Sequence, residues 1–369
     1  MIYFDNAATS LPKPQKVKSA LIKSLKYGNS GRSAHPLSIK AADEIFFARE
    51  LVSKFLGNVG EENIIFVPGA TFGLNMLIRG MVQEGCHYII SDIEHNSVVR
   101  PIEAYCNSKK ASYSIFSYCG NLIENIKNVI RDNTKCIFIS LCSNVTGEMQ
   151  DLELISNVAT KYNLKLIVDA AQLIGHKSID LNKHPVDALI APGHKGLLGP
   201  QGIGFVYLSP DLTIEPLVYG GNGQNTFSTS MSALPPERYE AGTLPCPNIC
   251  GLVAGLNKIT KIGVDIIEDR LLLLTERLAD VLYSNSMKVY GCNMGIASFN
   301  YLNIPSSIIS EELSKYGIYT RSGFHCSPLI HKRLGTMDNG TVRVSLSYFN
   351  TNRQIDRLNK VLKNIKSYL

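Results

Sequence analysis

The 369-residue sequence contains no tryptophan, no Cys-x-x-Cys pair and no long apolar run. A membrane-spanning helix needs about 20 consecutive apolar residues, and every run here is shorter. The first residues, MIYFDNAATSLPKP, also lack the basic and then apolar pattern of an export signal. We therefore expect a cytoplasmic protein with no membrane partner.

Charge and cysteine usage argue against two further classes of protein. The net charge is +6, and its lysines and arginines are spread along the chain, so we expect no nucleic-acid partner. The nine cysteines form no regular framework, which is typical of free thiols in a reducing compartment. Cys246 and Cys250 have no nearby histidine or cysteine partners, so we expect no metal site.

Short apolar runs alternate with amphipathic stretches between about residues 39 and 208. The runs are rich in Ile, Val and Phe and are typical of buried strands: NIIFV, HYII, YSIFS, KCIFISLC, KLIVDA, DALIAP and GIGFVYL. This alternation predicts an α/β fold, with a mainly parallel sheet covered by helices on both faces. Only GHKGLLGPQ joins the last two runs, which is too short for a helical crossover, so one of these two strands is expected to be antiparallel.

The remainder of the chain predicts a smaller α+β domain. Residues 219–248 are rich in Gly, Ser, Thr and Pro and predict an irregular segment, and one long helical pattern follows from about 248 to 284. We expect a large domain over residues 13–248 and a small domain that combines residues 1–12 with 249–369.

Three predicted strands end in polar residues. One ends at Asp169 with Gln172 close behind, one at His194 and Lys195, and one at Asn144. Ligands of parallel sheets bind at the carboxyl ends of the strands, so these side chains are expected to converge on one crevice. Taken alone, a strand-ending aspartate is more often a cap or a turn residue, and a lone lysine is usually solvated.

Lys195 lies within an unusually glycine-rich turn, PGHKGLLGPQGIG. Few side chains there can shield a surface charge, and the turn follows an apolar strand, which favours a desolvated amine. Burial lowers the pKa of a lysine and frees the neutral form to make a Schiff base.

The chain as a whole resembles one family. The blocks YFDNAATS, GATFGLN, EHNSV, SNVTGE, VDAAQLIGH, APGHKGLLGPQGIG, YEAGT, RSGFHC and VRVSLSYFNT are similar, in order and spacing, to those of the class V aminotransferases, which are fold-type I pyridoxal-phosphate enzymes. Within that family the resemblance is to the SufS-like subgroup of cysteine desulfurases and selenocysteine lyases. It runs from residue 3 to about 351 and implies the aspartate-aminotransferase-like fold.

The resemblance implies roles for the strand-ending residues. Lys195 would hold pyridoxal phosphate as a Schiff base and move the Cα proton. Asp169 would pair with the pyridine nitrogen, and Gln172 would bond the phenolic oxygen of the ring. His95, in EHNSV, would stack on the ring and shuttle protons near neutral pH.

The cofactor phosphate would be held by a helix start. Ala70 and Thr71 open the predicted helix TFGLNMLIRG and would offer backbone N–H groups, with His194 as a further donor. The resemblance also implies that Thr243 reaches the phosphate of a neighbouring subunit, and hence a homodimer. Thr71 as a simple N-cap and Thr243 as an ordinary loop residue are the alternatives.

For an amino-acid substrate, the resemblance assigns Arg343 to the α-carboxylate, with Asn144 beside it. Arg321 is either a second charge near the reactive loop or part of a structural ion pair. Asn6 and His35 fall in matching N-terminal blocks and are expected at the pocket rim.

Cys326, in RSGFHCSP, stands where the resembled enzymes carry their nucleophile. The implied reaction converts L-cysteine to L-alanine and leaves a persulfide on Cys326 for an acceptor protein, in iron–sulfur cluster or thio-cofactor synthesis. A thiolate is required, and His325, Arg321 and the loop amides would lower the thiol pKa. Gly323 and Pro328 suit a mobile but bounded loop. We expect the other eight cysteines to be buried and inert.

Three features leave alternatives open. Phe324 stands where the subgroup usually has a second histidine, Pro328 follows soon after Cys326, and Ala70 replaces a threonine of the phosphate block. A selenocysteine lyase, a cysteine lyase or another member of the family would use the same scaffold. A non-catalytic pyridoxal-binding protein would have no need of Lys195 and Cys326 together with the other site residues.

Overall fold

The computed structural model describes residues 1–31, 33–223 and 227–367. The elements up to residue 208 are, in chain order, β1 (Ile2–Tyr3), α1 (Gln15–Ser24), α2 (Pro36–Phe55), β2 (Ile64–Val67), α3 (Ala70–Met81), β3 (His87–Ser91), α4 (Asn96–Ser108), β4 (Ser112–Phe116), α5 (Leu122–Lys127), β5 (Thr134–Ser140), α6 (Leu152–Lys161), β6 (Lys165–Asp169), β7 (Ala188–Pro192) and β8 (Gly204–Leu208). Those after it are α7 (Cys246–Ile262), α8 (Val264–Ser284), β9 (Lys288–Asn293), β10 (Ile296–Asn300), α9 (Ser306–Lys315), β11 (Ile318–Tyr319), β12 (Arg321–Gly323), α10 (Pro328–Leu334), β13 (Thr341–Ser345) and α11 (Asn352–Ile365).

Seven strands form the main sheet in the order β2-β8-β7-β6-β5-β3-β4. Each of the seven predicted apolar runs is one of these strands, and β8 is the antiparallel one, as its short connection to β7 predicts. Ile64 and Phe66 of β2 belong to one apolar cluster, whereas Ile65 and Val67 belong to another. Alternate residues of a strand point to opposite faces, so both faces of the sheet are covered and the α/β prediction is confirmed.

The C-terminal part forms a second, smaller sheet in the order β12-β13-β10-β9, with all pairs antiparallel. Helices α8 and α9 pack on it, and α11 packs on these two helices. Strand β1 pairs in parallel with β11, so the first residues of the chain lie against its C-terminal part. This pairing carries residues 5–10 toward the carboxyl ends of the main sheet, where they meet His194.

The expected long helix over 248–284 is instead two helices. α7 ends and α8 begins at Gly263, whose φ of +94° lies in a region that suits glycine and stops a right-handed helix. Within the described part of residues 219–245 there is no helix or strand, as predicted, although α7 already begins at Cys246, inside the segment expected to be irregular. Among the residues that the structure describes, no helix is both long and apolar enough to cross a membrane.

Candidate active site

A cavity of about 590 Å³ opens at the carboxyl ends of β5, β6 and β7. It brings together residues that are up to 336 positions apart in the chain, counted from Ala7 to Arg343. Ten of the residues singled out from the sequence line it: Ala70, Thr71, His95, Asn144, Asp169, Gln172, His194, Lys195, Arg321 and Arg343.

Lys195 follows β7 in a tight turn. A side chain at the next residue, Gly196, would overlap the carbonyl oxygen of Ile174, so only glycine lets the turn approach the sheet this closely. Burial lowers the pKa of Lys195 to about 8, against the opposing effect of the Asp169 carboxylate. A substantial fraction of the amine is therefore neutral near physiological pH, and a neutral amine is the form that attacks a carbonyl group.

Asp169 is the last residue of β6, next to β7 in the sheet, and is only 6% exposed. Its Oδ1 accepts the backbone N–H of Ala171 at 2.9 Å, and burial raises its pKa. Among the described residues no group bonds Oδ2, so that oxygen is left for a ligand. The side-chain amide of Gln172 donates to the carbonyl of Ala7 at 3.1 Å, which fixes its orientation on the cavity wall.

His95 caps the start of α4. Its Nδ1 accepts the backbone N–H of Ser97 at 3.0 Å, so the proton of the neutral ring is on Nε2. Burial, reinforced by the charge of Lys195, lowers the pKa of His95 to about 4. A neutral ring with a fixed tautomer suits stacking on a planar cofactor, whereas a pKa this far below neutral does not fit the expected shuttling of protons near neutral pH.

Glu94, which the sequence did not single out, supports this wall from behind. Its carboxyl group is fully buried and accepts the Ser91 hydroxyl at 2.5 Å, the Ser140 N–H at 2.8 Å and the Ser140 hydroxyl at 2.6 Å. Burial raises the pKa of Glu94 to about 7, an effect that these hydrogen bonds oppose. The three bonds tie the end of β3 to the end of β5, directly before His95.

The start of α3 faces the same cavity. Gly69 is the N-cap and makes no side-chain capping bond, so Thr71 is not the N-cap residue. The first intrahelical bonds come from the amides of Phe72 and Gly73, which leaves those of Ala70 and Thr71 for a ligand. His194 stands nearby with its Nδ1 buried and without a partner among the described residues. Free amides at a helix start suit an anion.

Two arginines of the small sheet lie side by side on the wall of the same cavity. Arg321 of β12 pairs in register with Arg343 of β13, so their side chains share one face of the small sheet. Arg343 is 1% exposed and donates to Asp5 Oδ1 at 2.6 Å and to the carbonyl of Asn144 at 2.9 Å. One carboxylate thus faces two guanidinium groups. The excess positive charge favours an anionic ligand such as an α-carboxylate.

Cys326 lies at the mouth of the site. It lines a neighbouring cavity of about 490 Å³ that shares Thr71, His95 and Ser97 with the first one. Its Sγ is 3.4 Å from Nη2 of Arg321, and the residue is exposed. The thiol therefore stands beside the crevice of Lys195 and is open to solvent at the same time.

The Cys326 loop is held by four hydrogen-bonding groups. Asn144 donates to the His325 carbonyl at 2.7 Å and accepts the Ser327 hydroxyl at 2.6 Å, and the amide of Asn96 donates to the Cys326 carbonyl at 2.7 Å. His325 Nε2 lies 3.1 Å from the carbonyl of Thr341. These contacts hold two consecutive residues at positive φ, +50° for His325 and +60° for Cys326, which is strained backbone for non-glycine residues. Asn144 thus holds the Cys326 loop and also lines the active-site cavity.

Replacing Asn144 by alanine is expected to lower the free energy of unfolding by about 1–3 kcal/mol, because the buried His325 carbonyl and Ser327 hydroxyl lose their partner. Denaturant unfolding measures this. Asn125→Ala is the matched control: the Asn125 side chain makes two bonds, to the carbonyls of Ser117 and Cys119, but both bonds are exposed to solvent, so water replaces the lost partner. An equal loss of unfolding free energy in both variants would contradict a stabilising role for Asn144 in the Cys326 loop.

Four singled-out residues lie outside the first cavity. Cys326 is beside it. The Asn6 amide bonds the Ser345 carbonyl and Asn350, and His35 is exposed and caps α2 through the amide of Ser38. Thr243 is exposed and accepts a bond from Asn29 at 3.2 Å. Its assignment to a neighbouring subunit remains a prediction.

The cysteines follow the expectation in part. Cys106, Cys136, Cys142, Cys246 and Cys250 are buried, and all nine are free thiols. Cys119 is exposed, however, because it lies in the turn before α5 rather than in a strand or helix. Among the described residues, no group of three or more His, Cys, Asp or Glu side chains is arranged to hold a metal ion.

The Aminotransferase class-V family pattern matches residues 2–358. A probable cysteine desulfurase of Methanothermobacter thermautotrophicus is 31% identical over 379 aligned positions, which cover 99% of this chain and 94% of the relative. The chain belongs to the class-V aminotransferase family. Two solved structures resemble this family member, and each match covers the whole of this chain and 95% of the other chain. One is a cysteine desulfurase of Thermococcus onnurineus NA1 (28% identical, TM-score 0.92), and the other is a cysteine desulfurase of Escherichia coli with an S-sulfonic acid (25% identical, TM-score 0.89).

The cofactor of this family member is pyridoxal phosphate, and the cavity fits it. Free helix amides and the unpartnered Nδ1 of His194 suit the phosphate, and the open Oδ2 of Asp169 suits a protonated ring nitrogen. Lys195, with its lowered pKa, lines the same cavity. The cavity thus offers anion donors, a carboxylate and an amine, which are the kinds of group that the phosphate, the ring nitrogen and the aldehyde of the cofactor require.

Proposed function

We propose that this chain is a pyridoxal-phosphate-dependent cysteine desulfurase that converts L-cysteine to L-alanine and leaves the sulfur as a persulfide on Cys326. The observation that carries the proposal is the place of the Cys326 thiol, at the mouth of the Lys195 crevice and 3.4 Å from Arg321. Similarity along the whole chain to proteins named cysteine desulfurase supports the same reaction.

The overall reaction balances without an external oxidant. The Cβ–S bond of cysteine breaks, and the sulfur forms an S–S bond with Cys326. The electron pair of the broken bond stays on Cβ, which takes a proton and becomes the alanine methyl group. The sulfur is thereby oxidised and the carbon reduced. The cofactor, when bound, supplies an electron sink for the pairs released at Cα and Cβ.

The residues of this chain divide the remaining work. Arg343 and Arg321 bind the substrate carboxylate and so orient the amino acid. Lys195 accepts the Cα proton and later returns it. His95 stays neutral with its proton on Nε2, so it stacks on the cofactor ring without adding a positive charge beside it. Cys326 attacks the sulfur as a thiolate beside the Arg321 guanidinium.

Two surfaces suit the expected protein partners. Phe46 and Phe47 of α2 are 52% and 44% exposed, and such adjacent large apolar side chains favour burial against a second copy of the chain. The homodimer would bring Thr243 to the neighbouring site. Phe324, two residues before Cys326, is 44% exposed and offers a sulfur-acceptor protein an apolar contact beside the thiol.

The proposal is tested by mixing the cofactor-loaded protein with L-cysteine and measuring alanine, together with the mass of the 321–333 peptide. We expect stoichiometric alanine and one added sulfur on that peptide. A parallel assay with L-selenocysteine distinguishes the lyase alternative. Selenium release that is faster than alanine formation from cysteine, and that persists in Cys326→Ala, would favour the lyase.

The amine of Lys195 is expected to titrate near pH 8 in the cofactor-free protein, because burial lowers its pKa. The neutral form predominates above that pH and the charged form below it. Competitive acetylation followed by peptide mass analysis reports this midpoint directly. In Asp169→Asn the midpoint should fall further, since the carboxylate stabilises the ammonium form. A midpoint near 10.5, the usual lysine value, would contradict a desolvated amine.

A further inference from the structure

A second cavity, of about 830 Å³, lies between α1, α7 and the segment that precedes α1. It shares no lining residue with the active-site cavity. Apolar side chains form much of its wall: Pro12, Pro14, Ala20, Val253, Ala254 and Phe349. Five lysines also line it, and we call the cavity the lysine groove after them: Lys13, Lys16, Lys23, Lys258 and Lys261.

The charge of the lysine groove is poorly balanced. Glu44 is its one lining carboxylate, and that group already pairs with Lys40 at 3.2 Å. Within residues 1–31, 33–223 and 227–367, no ion pair or hydrogen bond engages the ammonium groups of Lys16, Lys23, Lys258 or Lys261. Like charges on one concave surface repel each other, and a concave apolar wall strengthens their combined field, so a multiply charged anion is favoured there.

Lys13 connects the lysine groove with the active site. Its Nζ donates to the carbonyl of His194 at 2.7 Å and to Ser10 Oγ at 2.8 Å. His194 directly precedes Lys195, and its ring lines the active-site cavity. Burial lowers the pKa of Lys13 to about 8, and a nearby anion would oppose that effect by stabilising the charged amine. One side chain therefore lines the lysine groove and also bonds the backbone of the residue next to Lys195.

We propose that the lysine groove binds a phosphorylated small molecule with an apolar or aromatic body, and that its occupancy acts on Lys195 through Lys13. The volume lies within the range of small-molecule sites, roughly 300–1,000 Å³. Five ammonium groups match a polyphosphate better than a single carboxylate. Tyr27 and Phe349 line the groove, so aromatic side chains are present to contact a base or an acyl chain. The proposed binding of this molecule does not depend on the proposed function, whereas its proposed effect on Lys195 rests on that function.

Calorimetry with ATP and with inorganic triphosphate on the cofactor-loaded protein tests the binding. We expect both probes to bind, with ATP tighter, and Lys258→Glu/Lys261→Glu to weaken them by about tenfold or more. The matched control is Lys360→Glu/Lys363→Glu, which makes the same charge change on exposed positions of α11. No binding to the parent protein, or equal weakening in both double variants, would overturn the site. A change in oligomeric mass confined to the α7 variant would overturn it in favour of a second copy seated there.

Lys13→Gln tests the connection. In the parent protein, ATP should shift the visible absorbance of the bound cofactor and change the rate of alanine formation. In Lys13→Gln, ATP should still bind, with neither effect. If ATP binds to the parent protein but changes neither the absorbance nor the rate, the proposed link from the lysine groove to Lys195 is overturned, while the binding site itself is supported. A parent that binds ATP and shows the absorbance shift, yet makes no alanine from cysteine, refutes the proposed function alone.

Discussion

Lys195→Ala is expected to lose alanine formation from L-cysteine by roughly 10²–10⁴-fold, because no other amine lies on the cavity wall to move the Cα proton among the described residues. The same variant should lose the visible absorbance band of the lysine-bound cofactor. Steady-state kinetics and an absorbance spectrum of the purified protein measure the two effects together.

Lys161→Ala is the matched control for this variant. Lys161 is exposed at the end of α6, away from the cavity, so both activity and absorbance should stay at the level of the parent. Addition of a small primary amine to Lys195→Ala should restore part of the rate. A Lys195→Ala protein that keeps its absorbance band would show that another group holds the cofactor.

Cys326→Ala is expected to lower persulfide formation below detection and desulfuration by about two orders of magnitude or more, as removal of a covalent nucleophile usually does. The cofactor absorbance should be retained, because Cys326 lies beside the cavity of Lys195 rather than on its wall. Mass analysis of the 321–333 peptide and alanine release measure the effects.

Cys119→Ala separates the reactive thiol from general thiol chemistry. Cys119 is also exposed and free, but it lies in the turn before α5 and lines neither active-site cavity. Its removal should change neither persulfide yield nor rate. If Cys326→Ala released sulfide from cysteine as fast as the parent does, the transfer of sulfur to Cys326 would be refuted, and the cofactor assignment would stand.

The main sheet could be predicted because its strands are buried on both faces. Such strands have continuous apolar runs, and the short β7–β8 connection identified β8 as the antiparallel strand. The convergence of Asp169 and Lys195 followed from the same topology, since β6 and β7 are neighbours whose carboxyl ends meet at one edge. Local pattern and a general rule of parallel sheets were sufficient for this half of the site.

The break between α7 and α8 was not predicted. A single glycine within a helical pattern costs a helix only about 1 kcal/mol, so the pattern alone does not distinguish a tolerated glycine from one at positive φ. The backbone of Gly263 decides between them. Asn144 was likewise placed at a strand end, whereas β5 ends four residues earlier, at Ser140.

The hydrogen bonds that support the site residues could not be predicted from the sequence, because their partners are far apart in the chain. Asp5 binds Arg343 across 338 positions, and Asn144 binds the His325 carbonyl across 181. No periodicity links residues so far apart. Asp5 stands in the recognised block YFDNAATS, and Glu94 in EHNSV, so the blocks contained these residues without indicating which partner each one meets.

The contact between Asp5 and Arg343 has a consequence for biosynthesis. Asp5 precedes Arg343 by 338 positions, so a ribosome delivers the aspartate well before the arginine, and the pair cannot form on a nascent chain that lacks β13. A chain that ends before β13 also lacks Arg343 itself, the more deeply buried of the two arginines that we expect to orient the substrate.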